Sequence, residues 1–189
     1  LNNSTLTWDG TIGTTYKCEG YGGATWFGFN TGTHGKFYKS PRLNVPAYYI
    51  DYSITEPDYI YARLGINDIF SSCYNTGDGL TPSEITYILN QSEILIDSLL
   101  LETPTAKIIL GIPSISENTG AGWNANYDES IVIQNDYIAN MHKFWQSFVN
   151  KYANQNYDAR VDCSYEVLGL NRDDGYPKVD GVHSNGVHP

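Results

Sequence analysis

Methionine occurs once in this chain and cysteine only three times. Cys18, Cys73 and Cys163 are odd in number and show no Cys-x-x-Cys spacing, which excludes the usual zinc and redox-pair patterns. Three buried thiols are the expected state, with one disulfide plus a free thiol as the alternative. Basic side chains are also scarce: 11 Lys and Arg stand against 21 Asp and Glu, a formal net charge of −10. That balance repels phosphate backbones and argues against nucleic acid as a partner. No apolar run approaches the roughly 18 residues that a membrane span needs. The first residues, Leu1-Asn2-Asn3-Ser4-Thr5, lack an initiator Met and signal-peptide anatomy, so a processed chain or a piece of a larger polypeptide is expected.

Aromatic residues are plentiful. Sixteen Tyr and four Trp in 189 residues serve an aromatic-rich core first, and exposed rings of this kind also stack on sugars. A hydrophobic content of 41% over this length is enough for one domain with a sizeable core. The Asn-x-Ser/Thr triplets at Asn2, Asn3 and Asn90 do not fix a compartment.

Along the chain, Leu6 to Thr14 alternates apolar and polar residues and reads as a short strand, followed by a Gly-rich loop from Glu19 to Trp26. Residues 27–57 have no period and read as an irregular surface excursion of the kind that frames a pocket. Pro57 to Leu64 is a near-continuous apolar strand, interrupted by Arg63, as expected of a parallel strand covered on both faces. Thr81-Pro82-Ser83-Glu84 combines an N-cap Thr, a Pro at the first helical position and a capping-box Glu. The helix it opens carries Ile85, Ile88, Leu89, Leu95, Ile96, Leu99 and Leu100 on one face, and Thr103-Pro104 stops it. Lys107 to Pro113 is a second buried strand. A polar loop, 114–126, then leads to a helix over roughly Asp128 to Tyr152 with Ile138, Met141, Trp145, Phe148 and Tyr152 inward. A weaker strand lies near Ala159 to Cys163. This alternation predicts a parallel α/β sheet with helices on both faces.

In such sheets catalytic groups collect beyond the carboxyl ends of the strands. Three candidates fall there: Gly22-Gly23, Asn67, and the histidines of the C-terminal segment. Asn67, in Gly65-Ile66-Asn67-Asp68, presents an amide after an apolar strand, as an oxyanion donor would; an Asn at this point also serves simply as a turn residue. A bare Gly23 N–H can approach a developing oxyanion closely, although paired glycines also relieve backbone strain. Asp180-Gly181-Val182-His183 and Asn185-Gly186-Val187-His188-Pro189 each place a polar residue three before a histidine, the spacing that orients a general base. His183 and His188 each also read as solvated residues without a role, and His34 and His142 read as having no chemical role. A metal held by Asp180, His183 and His188 is disfavoured, because the segment is Gly-rich and metal ligands need a firm scaffold.

Taken together, Gly23 in its Gly-rich loop, the Gly65 to Asp68 block and either histidine block resemble the second, third and fifth blocks of the SGNH (GDSL-type) hydrolases. Gly111-Ile112-Pro113 resembles the strand end that precedes a loop in that family, and the resemblance runs from about Trp8 to Pro189. It implies a flavodoxin-like, three-layer α/β sandwich over residues 1–189, with both ends short of a complete domain. The family's Gly-Asp-Ser nucleophile block is not in this sequence and is expected upstream of Leu1. The implied chemistry is acyl transfer. His183 or His188 acts as base, Asp180 or Asn185 orients it, and Gly23 and Asn67 hold the oxyanion; Gly22, Asp68 and Asn185 border the substrate. No metal or organic cofactor is implied. The expected substrate is an ester, most naturally an acetylated carbohydrate. The expected setting is a larger extracellular, cell-surface or virion protein or assembly. The competing class is a non-catalytic glycan-binding or structural module on the same fold.

Overall fold

The computed structural model describes residues 6–8, 18–20, 23–70, 79–113, 131–153 and 159–162. The chain divides into two compact units: Leu1–Asp58 with Ile88–Ala106, and Tyr59–Tyr87 with Lys107–Pro189. Among the described residues, no helix is long and apolar enough to cross a membrane.

In the first unit, β1 (Leu6–Trp8) pairs antiparallel with β2 (Cys18–Gly20), Thr7 opposite Glu19. The expected first strand therefore lies in a two-stranded ladder of its own, and not in the described parallel sheet. Residues 27–57 also depart from the expected irregular excursion. They hold most of helix α1 (Trp26–Thr31), a hairpin of β3 (Tyr38–Lys39) and β4 (Arg42–Leu43), and helix α2 (Val45–Asp51). Local capping overrides the lack of period. Thr25 Oγ1 accepts from Gly28 N at 2.9 Å, and Gly32 closes α1 at φ 77°, a left-handed conformation that favours glycine. Asn44 Oδ1 accepts from Ala47 N at 3.0 Å, and the Glu102 carboxylate accepts from Val45 N at 2.6 Å, so two side chains serve the start of α2. Trp26, Phe29, Leu43, Val45 and Tyr48 are buried, and Phe37 bridges Phe29 and Tyr48 at ring separations of 5.9 and 4.6 Å. Much of the aromatic excess goes into this small core.

Helix α3 (Pro82–Glu102) begins as the sequence indicates. Thr81 N donates to Glu84 Oε2 at 2.8 Å while Glu84 N donates to Thr81 Oγ1 at 3.3 Å, a reciprocal capping box. Both bonds to Thr81, backbone first, hold the Glu84 carboxyl below the usual carboxylate range. Ile88, Leu95, Ile96 and Leu99 of the expected face are buried, whereas Ile85, Leu89 and Leu100 are only half-buried. The fully buried Thr103 ends the helix, its hydroxyl donating back to Leu99 O.

The second unit holds the parallel sheet, in the order β5 (Tyr59–Ala62), β6 (Lys107–Gly111), β7 (Ala159–Asp162). Tyr61 lies opposite Ile109, and Leu110 opposite Val161. Ile108, Leu110 and Ile112 are fully buried. Helix α4 (Ile131–Ala153) adds buried Tyr137, Asn140, Met141, Phe144, Trp145, Phe148 and Tyr152, and it packs on β7. Sequence period identifies Met141, Trp145, Phe148 and Tyr152 correctly; Ile138 is only half-buried. Strand β5 is not covered on both faces as expected, since Tyr59 is 61% and Tyr61 47% exposed. Its apolar run alternates instead, because tyrosine can place a ring at the surface and keep its hydroxyl in water. The result is a mixed α/β fold with a parallel three-stranded sheet.

Candidate functional site

Strand β5 ends at Ala62, and the chain becomes helical over residues 66–70 after three connecting residues. Gly65 makes this possible. Its φ of +123° lies outside the range that side-chain-bearing residues adopt comfortably, and a Cβ there would meet Phe144 Cε1 at 3.1 Å and Pro113 Cγ at 3.2 Å. Ile69 N donates to Gly65 O at 3.1 Å, which closes the first helical turn and makes Gly65 its N-cap. Asn67 and Asp68 therefore stand in that first turn, half-buried, beyond the carboxyl end of a parallel strand. The fully buried Ile69 anchors the turn from beneath.

Helix α4 supports this turn with residues at i, i+3 and i+7. Tyr137 meets Phe70 edge-on at 5.9 Å, and Phe144 fills the space beside Gly65. Between them, the buried Asn140 accepts from Leu80 N at 2.8 Å, fixing the backbone just before α3. Gly79, at φ +74°, lies against the same Asn140 side chain. Tyr137, Asn140 and Phe144 are not among the inward residues expected from the sequence. They share one helical stripe with Met141 and Phe148, so the period contained the signal, but a buried Asn on such a stripe is invisible until its partner is known.

Gly23 is described in the first unit. It is exposed at φ +76° with open space where a Cβ would stand, and it precedes the N-cap of α1. It follows β2 and not a strand of the described parallel sheet, which corrects its expected placement at such a strand end. Gly22, Asp180, His183, Asn185 and His188 lie outside the described residues, as do Cys73 and Cys163. His34 is half-buried; its backbone N donates to Gly28 O at 2.9 Å, and its Nδ1 is buried beside Gly28. His142 is exposed, its ring edge-on to Trp145 at 5.1 Å. Among the described residues, no group of three His, Cys, Asp or Glu side chains could hold a metal ion.

No family model and no curated protein matches this sequence. Among solved structures, the chain is similar to one from Streptococcus pneumonia provisionally named as a platelet activating factor, at 20% identity and a TM-score of 0.48. The match takes in 70% of this chain and 54% of the other, so the chain spans about half the length of that protein.

Proposed function

We propose that this chain is part of an SGNH-type ester hydrolase that acts on acetylated carbohydrate. The observation that carries the reading is the Gly65 to Asp68 turn: a parallel strand feeds through a glycine at φ +123° into a helical turn that holds Asn67 at the strand's carboxyl end. A side chain at Gly65 would be strained at that φ and would crowd Phe144 and Pro113, at 3.1 and 3.2 Å from its Cβ.

The chemistry follows from placing a carboxamide on a rigid support. Negative charge develops on the carbonyl oxygen when a serine attacks an ester, and a donor already in place stabilises that charge without reorganising. Asn67 supplies such a donor. The nucleophilic serine comes from polypeptide preceding Leu1. His183 or His188 removes its proton and returns it to the leaving alcohol, with Asp180 or Asn185 orienting the imidazole. The three-layer flavodoxin-like sandwich and an extracellular, cell-surface or virion setting belong to the same reading.

The test is turnover of a chromogenic acetyl ester by the full-length polypeptide, together with covalent labelling by a fluorophosphonate. Labelling of a serine upstream of Leu1 and loss of turnover in Asn67→Ala support the reading. A fully folded protein that neither labels nor turns over the ester is instead a binding or structural module.

A further inference from the structure

The 21 acidic residues of this chain are unevenly placed: from Gly20 to Ile50 there is no Asp or Glu, while Lys36, Lys39 and Arg42 fall within that stretch. The first unit's hairpin brings two of these cations together. Register sets Lys39 directly opposite Arg42, and because successive strand residues alternate, the buried Leu43 turns to the core while Lys39 and the exposed Arg42 share the outer face. Like charges directly opposite on a ladder repel each other. Lys36 joins them through Tyr52: its ammonium stands 4.6 Å from the centre of that ring, and the Lys39 ammonium stands 5.9 Å from the same ring. The buried Tyr48 packs against Tyr52, ring centres 5.0 Å apart, and so holds the ring that both ammoniums approach. One carboxylate enters the cluster. Asp51 lies 2.6 Å from the Lys39 ammonium, and with side chains 53% and 32% exposed this is a surface ion pair of small worth. Among the described residues, neither Lys36 nor Arg42 has a carboxylate within ion-pair distance. Three cations thus gather round Lys39 against a single carboxylate.

We infer that Lys36, Lys39 and Arg42 form a docking surface for a carboxylate-bearing polysaccharide, a chain of uronic acid sugars. A repelling pair of cations on one face of a hairpin is relieved by an anion laid across it, and the planar guanidinium of Arg42 matches a carboxylate with two parallel N–H donors. The ammoniums of Lys36 and Lys39 add point charges beside it, and their contact with the Tyr52 ring restrains both side chains before a ligand arrives, which lowers the rotamer entropy lost on binding. Charge density selects among polyanions. A nucleic acid duplex carries about one charge per 1.7 Å and meets the repulsion of a chain of net charge −10 in full, whereas a polyuronate carries one carboxylate per sugar and can be held by a local patch. The choice of a saccharide over an acidic peptide rests on the ester-hydrolase reading; the binding of carboxylates does not.

The test titrates hexagalacturonate, which has no ester, into the full-length protein by calorimetry, with the fully methyl-esterified hexamer as the uncharged counterpart and an oligoglutamate of equal charge as the peptide counterpart. Binding of hexagalacturonate is expected, and it should weaken as added salt screens the exposed charges. Lys36→Gln and Arg42→Gln should each weaken it by roughly twofold to fivefold, the loss of one exposed charge pair, and the double variant by roughly fivefold to twentyfold. Arg42→Lys keeps the charge and should bind more tightly than Arg42→Gln. Thermal melts check that each variant folds. Should a variant fail to fold, the comparison of the charged and methyl-esterified hexamers on the wild-type protein reads the same electrostatic contact. No binding of hexagalacturonate by wild type, equal binding of its methyl ester, or equal binding by the folded double variant overturns the docking surface. Tighter binding of oligoglutamate than of hexagalacturonate overturns the saccharide as its occupant. Hexagalacturonate binding in a protein that turns over no acetyl ester removes the esterase reading alone, and turnover of a chromogenic acetyl ester without hexagalacturonate binding removes the docking surface alone.

Discussion

The ring of Phe144 occupies the space that a side chain at position 65 would need, 3.1 Å from where a Cβ of Gly65 would stand. One residue lies at a strand end and the other 79 positions later on helix α4, so the turn bearing Asn67 is set by a tertiary contact. Gly65→Ala is expected to destabilise the protein by roughly 1–3 kcal/mol through backbone strain alone, with the crowding against Phe144 in addition. Urea unfolding of the variant checks this. A loss below about 0.5 kcal/mol, within the usual range of surface substitutions, would show that the turn relaxes freely.

Asn140 ties α4 to the backbone at Leu80 through a buried bond of 2.8 Å. Replacing it with Leu keeps the branching at Cγ but leaves a buried N–H without an acceptor. A cost of about 1–3 kcal/mol is expected. Amide exchange at Leu80 should quicken in the same variant by one or more powers of ten, and unchanged exchange would assign the amide's protection to burial alone.

Glu84 gives the start of α3 a pH dependence. Its folded carboxyl titrates below the ordinary range because it accepts from the Thr81 backbone and side chain. A depressed folded value contributes stability that is present above the unfolded pKa, roughly 4.3, and is lost as pH falls through the folded value. The protection of the Thr81 amide relative to its intrinsic exchange rate at each pH, followed by NMR, is expected to fall across that acidic window in wild type and to stay constant there in Glu84→Ala.

Tyr49 acts at the alkaline end. Burial first, and the nearby Glu56 carboxylate second, push its phenol up to about 12. An unfolded tyrosine ionises near 10, so the unfolded state releases its proton first, and stability declines as pH rises between roughly 10 and that value. Spectrophotometric titration should show nearly the same number of phenolates at pH 11 in wild type and in Tyr49→Phe, although wild type has one more tyrosine. Removal of Glu56 as Glu56→Gln should bring Tyr49 part of the way back.

For the proposed chemistry, Asn67→Ala is expected to lower kcat on an acetyl ester by roughly 10²–10³-fold with the melt unchanged, as loss of one preorganised oxyanion donor does. His188→Ala should cost roughly 10³-fold or more and His183→Ala far less, because His188-Pro189 matches the family's block more closely. The reverse order would make Asp180 and His183 the working pair.

The sequence by itself determined the features whose cause is local. Thr81-Pro82-Ser83-Glu84 had to begin a helix, since its two side chains satisfy amides within three residues of themselves. Periodicity likewise named Met141, Trp145, Phe148 and Tyr152 as core. Only the tertiary structure decided what each local element touches. The same run of apolar residues in β5 could face a core on both sides or display tyrosines, and the exposure of Tyr59 and Tyr61 settles that choice. Residues 27–57 look shapeless as a pattern because their order comes from caps and from Glu102, 57 residues beyond the Val45 N–H it accepts from. Gly111 gives no sign in the sequence of why it lacks a side chain. The reason is the Tyr61 ring above it, and contact between neighbouring strands is a property of register, which no single stretch of chain specifies.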